Sequence, residues 1–161
     1  MAHDVTVASP RFWVGVASRD HVLRGVASNV AQIGHGKRAP LARMHPGDWI
    51  AYYSPRTALE GGEACHAFTA VGRILPGPIT QVDLGNGFQP YRRPVAYLPL
   101  HDAPIRPLLP DLSFILDKSR WGYVFRFGHF EIPRADFIRV VQALRLDPAV
   151  LDERPSRQAS D

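Results

Sequence analysis

The stretch Gln32-Ile33-Gly34-His35-Gly36-Lys37-Arg38, continuing as APLARMHPGDWIAYYSP to Pro55, decides how the rest of the chain is read. Glycines on either side of His35, followed by two cations, predict a mobile basic loop. His45-Pro46-Gly47-Asp48 is a turn, and Trp49 to Ser54 alternates as a strand behind it. Trp49, Ala51 and Tyr53 then share one face, while Ile50, Tyr52 and Ser54 share the other. Cations on a loop beside rings on a strand suit a flat, negatively charged ligand. A nucleotide fits that better than a sugar or a peptide, with charge holding the phosphate and a ring stacking on the base.

Upstream, Arg11 to Ala17 is β-prone, and Ser18 reads as a helix N-cap with Val22, Leu23 and Val26 on the apolar face. Gly25 is expected to limit that helix to about two turns. A short strand follows at Val30 to Ile33, and Pro40 starts a helical turn. Downstream, strands are expected at Ala67 to Leu75, Ile79 to Leu84 and Arg92 to Leu98. Gly72 marks a bulge or a close backbone approach, and Pro94 an edge or a bulge. Pro104 to Leu109 is irregular, and a short helix is expected around Leu112 to Leu116. Trp121 to Phe127 alternates like a strand, with Trp121, Tyr123, Phe125 and Phe127 on one side. Pro133 to Leu144 is the clearest helix, with Phe137, Val140, Val141 and Leu144 at i, i+3, i+4 and i+7.

At 161 residues the chain fits one domain, assigned to 11–152, between a flexible leader at 1–10 and a disordered tail at 153–161. Hydrophobic content of 45% supports a real core, and fifteen prolines with thirteen glycines favour short strands over long helices. The formal net charge of +4 is carried almost wholly by arginine, since Lys37 and Lys118 are the only lysines. Arginine suits phosphate and bases, but GC-rich coding gives the same bias, so the charge alone decides nothing. One cysteine rules out an intrachain disulfide, and no apolar stretch reaches membrane-spanning length. A soluble, cytoplasmic protein with no membrane partner is expected.

Four blocks, read together, resemble the EVE domain, a member of the PUA-like superfamily related to YTH domains. They are FWVGVASRDHV (Phe12 to Val22), the Gln32 to Pro55 stretch, FTAVGRI (Phe68 to Ile74), and PIRPLL followed by WGYVFRFGHFEI (Trp121 to Ile132). The strings HGK-x-APL and RFG-x-FEI carry most of the specificity. The resemblance implies an α+β fold: a twisted, mostly antiparallel β pseudo-barrel with flanking helices. It also implies a reader of modified nucleic-acid bases, notably modified cytosines.

On that reading the ligand site is expected to draw on Trp13, Ser18, His35, Lys37, Tyr53, Ser54, Arg92, Arg93, Trp121 and Phe125. Trp13 and Trp121 would enclose an extruded base, and Ser18, Lys37 or Ser54 would read its edge. Tyr52 and Trp49 are assigned to the core. Arg92 or Arg93 would touch the backbone of the RNA or DNA. No cofactor or metal is expected, because the histidines, the cysteine and the carboxylates lack ligand spacing. Two alternatives stand beside the reader: an enzyme using His35 or His66 as acid–base groups, and a protein-interaction adaptor. Which modification is read, the choice of DNA or RNA, the downstream effector and the oligomeric state are open in the sequence.

Overall fold

Eight strands and three α-helices alternate with 3-10 turns in the computed structural model, which describes residues 9–153. The leader expected at 1–10 and the tail at 153–161 lie almost wholly outside those residues. The order β1 (Phe12–Val16), α1 (Arg19–Ala27), β2 (Val30–Ala31), α2 (Arg38–Arg43), β3 (Trp49–Arg56) forms one crossover unit. It is needed because β1 and β3 pair in parallel, Phe12 opposite Trp49 and Val16 opposite Tyr53. β4 (Ala64–Ile74), β5 (Thr80–Gln81), β6 (Tyr91–Tyr97), β7 (Ala103–Pro104) and β8 (His129–Ile132) add antiparallel pairs. The sheet order is β2-β6-β4-β3-β1-β8, with β5 on β6 and β7 on β4, so the fold is a curled, mixed half-barrel of the α+β class.

The alternation in β1 and β3 separates two apolar clusters. Phe12, Val14, Trp49, Ala51 and Tyr53 face one of them, closed by Phe125 and by Phe137, Val140 and Val141 of α3 (Arg134–Ala143). Trp13, Ile50 and Tyr52 face the other, which Val22 of α1 and Leu41 of α2 cover. Pro40 falls in the first turn of α2, where no backbone donor is needed. Pro133 is the N-cap of α3 rather than its first residue.

Gly72 marks a close approach, since a methyl there would overlap Val95 and Tyr97 on β6. The bulge sits nearby instead. Tyr52 faces Ala70 and Tyr53 faces Phe68, which leaves Thr69 extra and bends the strand.

Several expectations fail: the strand expected at Val30 to Ile33 is only Val30–Ala31, and Pro94 lies in β6 between β2 and β4 rather than at an edge. Residues 79–84 form only the two-residue β5. The helix expected at Leu112 to Leu116 is replaced by a 3-10 segment one turn earlier, Arg106–Asp111, with only a turn after it. Most consequentially, Tyr123–Phe127 is a 3-10 helix between Gly122 and Gly128, not a strand. Tertiary packing overrides the β propensity of its rings. Phe125 turns into the core, while Tyr123 and Phe127 are 59% and 68% exposed.

Candidate functional site

The basic loop is fixed, not free. Gly34, His35 and Gly36 all have positive φ, and Gly36 and Lys37 both donate to the Ile33 carbonyl at 3.1 Å. Gly36 then packs against Pro90, close enough that any side chain would overlap it, and its carbonyl accepts from Tyr91 N at 2.9 Å. The loop is therefore docked on the β5–β6 hairpin. His35 and Lys37 remain exposed on it, and Phe88 and Leu84 stand exposed near the hairpin tip.

Beside the loop, Gln32 is almost buried at 7% exposure. Its side-chain oxygen accepts from Arg92 Nε at 3.0 Å. Arginine can only donate, so this contact fixes which end of the amide faces it. The Gln32 NH2 has no protein partner among the described residues. It is not sealed in the interior and keeps contact with solvent. The Gln32 main-chain oxygen lies 3.4 Å from His21 Nε2 and 3.5 Å from the Tyr52 hydroxyl. Burial lowers His21 below the usual imidazole range and pushes Tyr52 up to about 12, so both neighbours are uncharged near neutrality. The arrangement is an oriented hydrogen-bond donor beside a cationic loop.

Ser18 begins α1, a turn before His21. Its hydroxyl donates to Asp20 Oδ1 at 2.5 Å and accepts from no helix N–H, and that bond holds the Asp20 carboxyl below its ordinary range.

The remaining expected residues divide between packing and a second surface. Trp13 is 4% exposed, stacked on His129 at 4.7 Å and 6°, and its Nε1 donates to Asp48 Oδ2 at 3.1 Å. Asp48 also accepts from Arg11 N and His45 N, so it ties β1 to the turn before β3. Trp13 and Trp121 pack on clusters at opposite faces of β1 and β3, and cannot enclose one base. Arg93 is 5% exposed and donates to the Leu41 and Met44 carbonyls at 2.8 and 2.7 Å, which fastens α2 to β6. Ser54 is wholly buried against Thr69 Oγ1 at 2.8 Å. Tyr53 and Phe125 stack on each other at 3.8 Å, and the Tyr53 hydroxyl meets His66 Nδ1 at 3.2 Å. These five side chains are part of the scaffold because their faces or polar atoms are already occupied.

Trp121 is the exception. Half-buried, edge-on to Tyr53 and His66, with the Arg106 guanidinium 5.5 Å from its ring centre, it lines an open cleft of about 360 Å³. Sequence reasoning missed Gln32, although it opens the most informative stretch. Its signal was a single amide ahead of a glycine loop, and only the fold brings Arg92 against it.

Known proteins resemble this chain in sequence and in fold. Residues 11–143 match the family model described as the EVE domain. A UPF0310 protein of Bacillus licheniformis is 50% identical over 127 residues, covering 79% of this chain and 86% of its own. Another UPF0310 protein, from Mycolicibacterium vanbaalenii, is 48% identical, covering 84% of this chain and 93% of its own. Among solved structures, the Pho92 YTH domain in complex with m6A gives a TM-score of 0.54 at 18% identity, covering 85% of this chain and 84% of that one. The YTH domain of Zygosaccharomyces rouxii MRB1, in complex with N6-methyladenosine RNA, gives 0.56 at 17% identity, covering 89% and 91%. At these identities the YTH likeness conveys the fold.

Proposed function

Because the chain belongs to the EVE-domain family, we propose that it is a non-catalytic module that binds nucleic acid and reads a modified base, a modified cytosine or a close relative of it. The observation that carries this reading is the Gln32 amide, oriented by Arg92 and placed beside the docked loop of His35 and Lys37. Lys37 would hold a phosphate. Exposed Phe88 and half-buried Tyr91 on the neighbouring hairpin offer stacking faces. The Gln32 NH2 would donate to a base carbonyl or ring nitrogen, and Ser18 and His21 would complete the polar wall. The m6A held by the Pho92 YTH domain and the N6-methyladenosine RNA held by the MRB1 YTH domain favour the same ligand class.

Acid–base chemistry finds less support. His35 is exposed on the loop, whereas His66 is engaged by Tyr53 on the other face of the sheet. Burial pushes the Cys65 thiol up, the opposite of what an activated nucleophile needs. Among the described residues no group of three His, Cys, Asp or Glu could hold a metal ion. None of their helices is long and apolar enough to cross a membrane.

The test is binding of short single strands with plain or modified cytosines, or N6-methyladenine, across a salt series. Gln32→Ala is expected to erase the preference between bases, about tenfold or ~1.4 kcal/mol. Lys37→Ala is expected to weaken all strands alike and lower the salt slope by about one. Equal affinity for every base at every salt concentration would overturn the reading.

A further inference from the structure

The cleft beside Trp121 lies on the sheet face opposite Gln32, and we propose that it docks a short acidic peptide segment carrying one large apolar side chain. Its walls are Phe114, Leu116, Trp121, Val124 and Phe127, with Arg120 at the rim. Leu116 is 94% exposed and Phe127 68%, unusual for side chains with an apolar hollow beside them. An adjoining hollow shares Arg120 and Tyr123 with the cleft and is lined also by Gly122 and Arg126.

The slot is preformed. Buried Asp136 of α3 accepts from Ser113 N, Ser113 Oγ and Phe114 N at 3.0, 2.8 and 2.9 Å, fixing the Phe114 wall. Arg126 lies 5.7 Å from the Tyr123 ring centre. The charges at the rim select the partner. Asp117 spends its carboxylate on Ser119 N and Oγ, and Lys118 donates to the Leu112 carbonyl. Arg120 and Arg126 make no ion pair among the described residues. Asp117 lines the same cleft and stays charged, but Lys118, Arg120 and Arg126 outnumber it, and this cationic rim on an apolar slot matches an acidic flank beside an apolar anchor.

Other occupants fit worse. A nucleobase would bury polar edges against Ile115, Leu116 and Val124, which offer no hydrogen bonds. A second copy meeting this face about a two-fold axis would bring Arg120 and Arg126 against their own kind. Because the clusters under the two surfaces lie on opposite faces of β1 and β3, a peptide here leaves the Gln32 surface free.

The experiment uses seven-residue synthetic peptides with central Leu, Phe or Ala, flanked by Asp and Glu, by Ser and Gln, or by Lys. Binding is followed by tryptophan fluorescence and amide shifts on the whole chain. Acidic peptides with Leu or Phe are expected to saturate the Trp121 surface, at least tenfold more tightly than Ala-centred or Lys-flanked ones. Charge reversal, Arg120→Glu with Arg126→Glu, is expected to invert the flank preference, and both positions are exposed, so the fold should survive. Leu116→Asp should abolish the Leu and Phe preference. The proposal is overturned if no peptide saturates, if flank charge makes no difference, or if oligo-deoxycytidine displaces the peptide from this surface. A dimer that Leu116→Asp dissociates would also overturn it.

Discussion

Trp13 and Trp121 come from the same aromatic vocabulary yet end in opposite conditions. Trp13 sits in mid-strand, one face on His129, the Arg11 guanidinium 4.9 Å from its ring centre, and its indole N–H on Asp48. Trp121 follows the short 3-10 turn Lys118–Arg120, touches Tyr53 and His66 only by edges, and borders open space. A strand inside a sheet fills both faces of a ring with its neighbours. A 3-10 segment laid over the sheet anchors one ring and leaves the next outside. Availability to a ligand follows from the backbone that carries the ring.

The largest test of that contrast is Trp13→Ala. We expect a loss of about 3–5 kcal/mol of stability, because the change empties a packed site and strands Asp48's partner position. Urea denaturation measures it, and a loss below about 1 kcal/mol would place Trp13 outside the core.

The second test titrates the partner of Trp13. His129 is 6% exposed with neither ring nitrogen bonded among the described residues, and burial, with Arg43 nearby, lowers it to about 4. The unfolded chain takes up this proton near pH 6.5, the folded chain only near 4. Stability from this group is therefore complete above about 6.5 and drains away as pH falls toward 4, by up to about 3 kcal/mol. His129→Gln should flatten the urea midpoint over that window relative to the parent. Identical slopes would show that His129 charges freely in the folded protein.

Trp121→Ala is the smallest perturbation. About 1–2 kcal/mol is expected, since part of the ring already faces water. A thermal melt that drops as far as for Trp13→Ala would erase the contrast.

The same contrast separates what the sequence discloses from what it hides. Alternation in Trp49 to Ser54 correctly assigned both faces of β3, and the i, i+3, i+4 spacing found α3. Those patterns are local, and the sheet only completes them. Trp121 to Phe127 also alternates, but Phe125 packs into the core without a partner strand, and the segment folds as a 3-10 turn that ends at Gly128, whose φ is 74°. Arg93 reads as a surface cation until the carbonyls of Leu41 and Met44, some fifty residues earlier, arrive to receive it. Gln32 reads as filler until Arg92 turns its amide. Side chains whose roles depend on one distant partner leave no periodic trace.

Arg11 and Glu153, 142 residues apart, are tied to one corner of the sheet. Arg11 gives its carbonyl to Trp49 N, Trp49 pairs with Arg73, and Arg73 Nη1 donates to the Glu153 carbonyl at 2.7 Å. Residues 11 and 153 therefore lie at one rim of the half-barrel. Trp121 stands against Tyr53, four residues further along β3, ~13 Å away at strand rise. A pull on residue 11 and a pull on residue 153 therefore load the same corner of the sheet, while the Trp121 surface sits further along the strand from it.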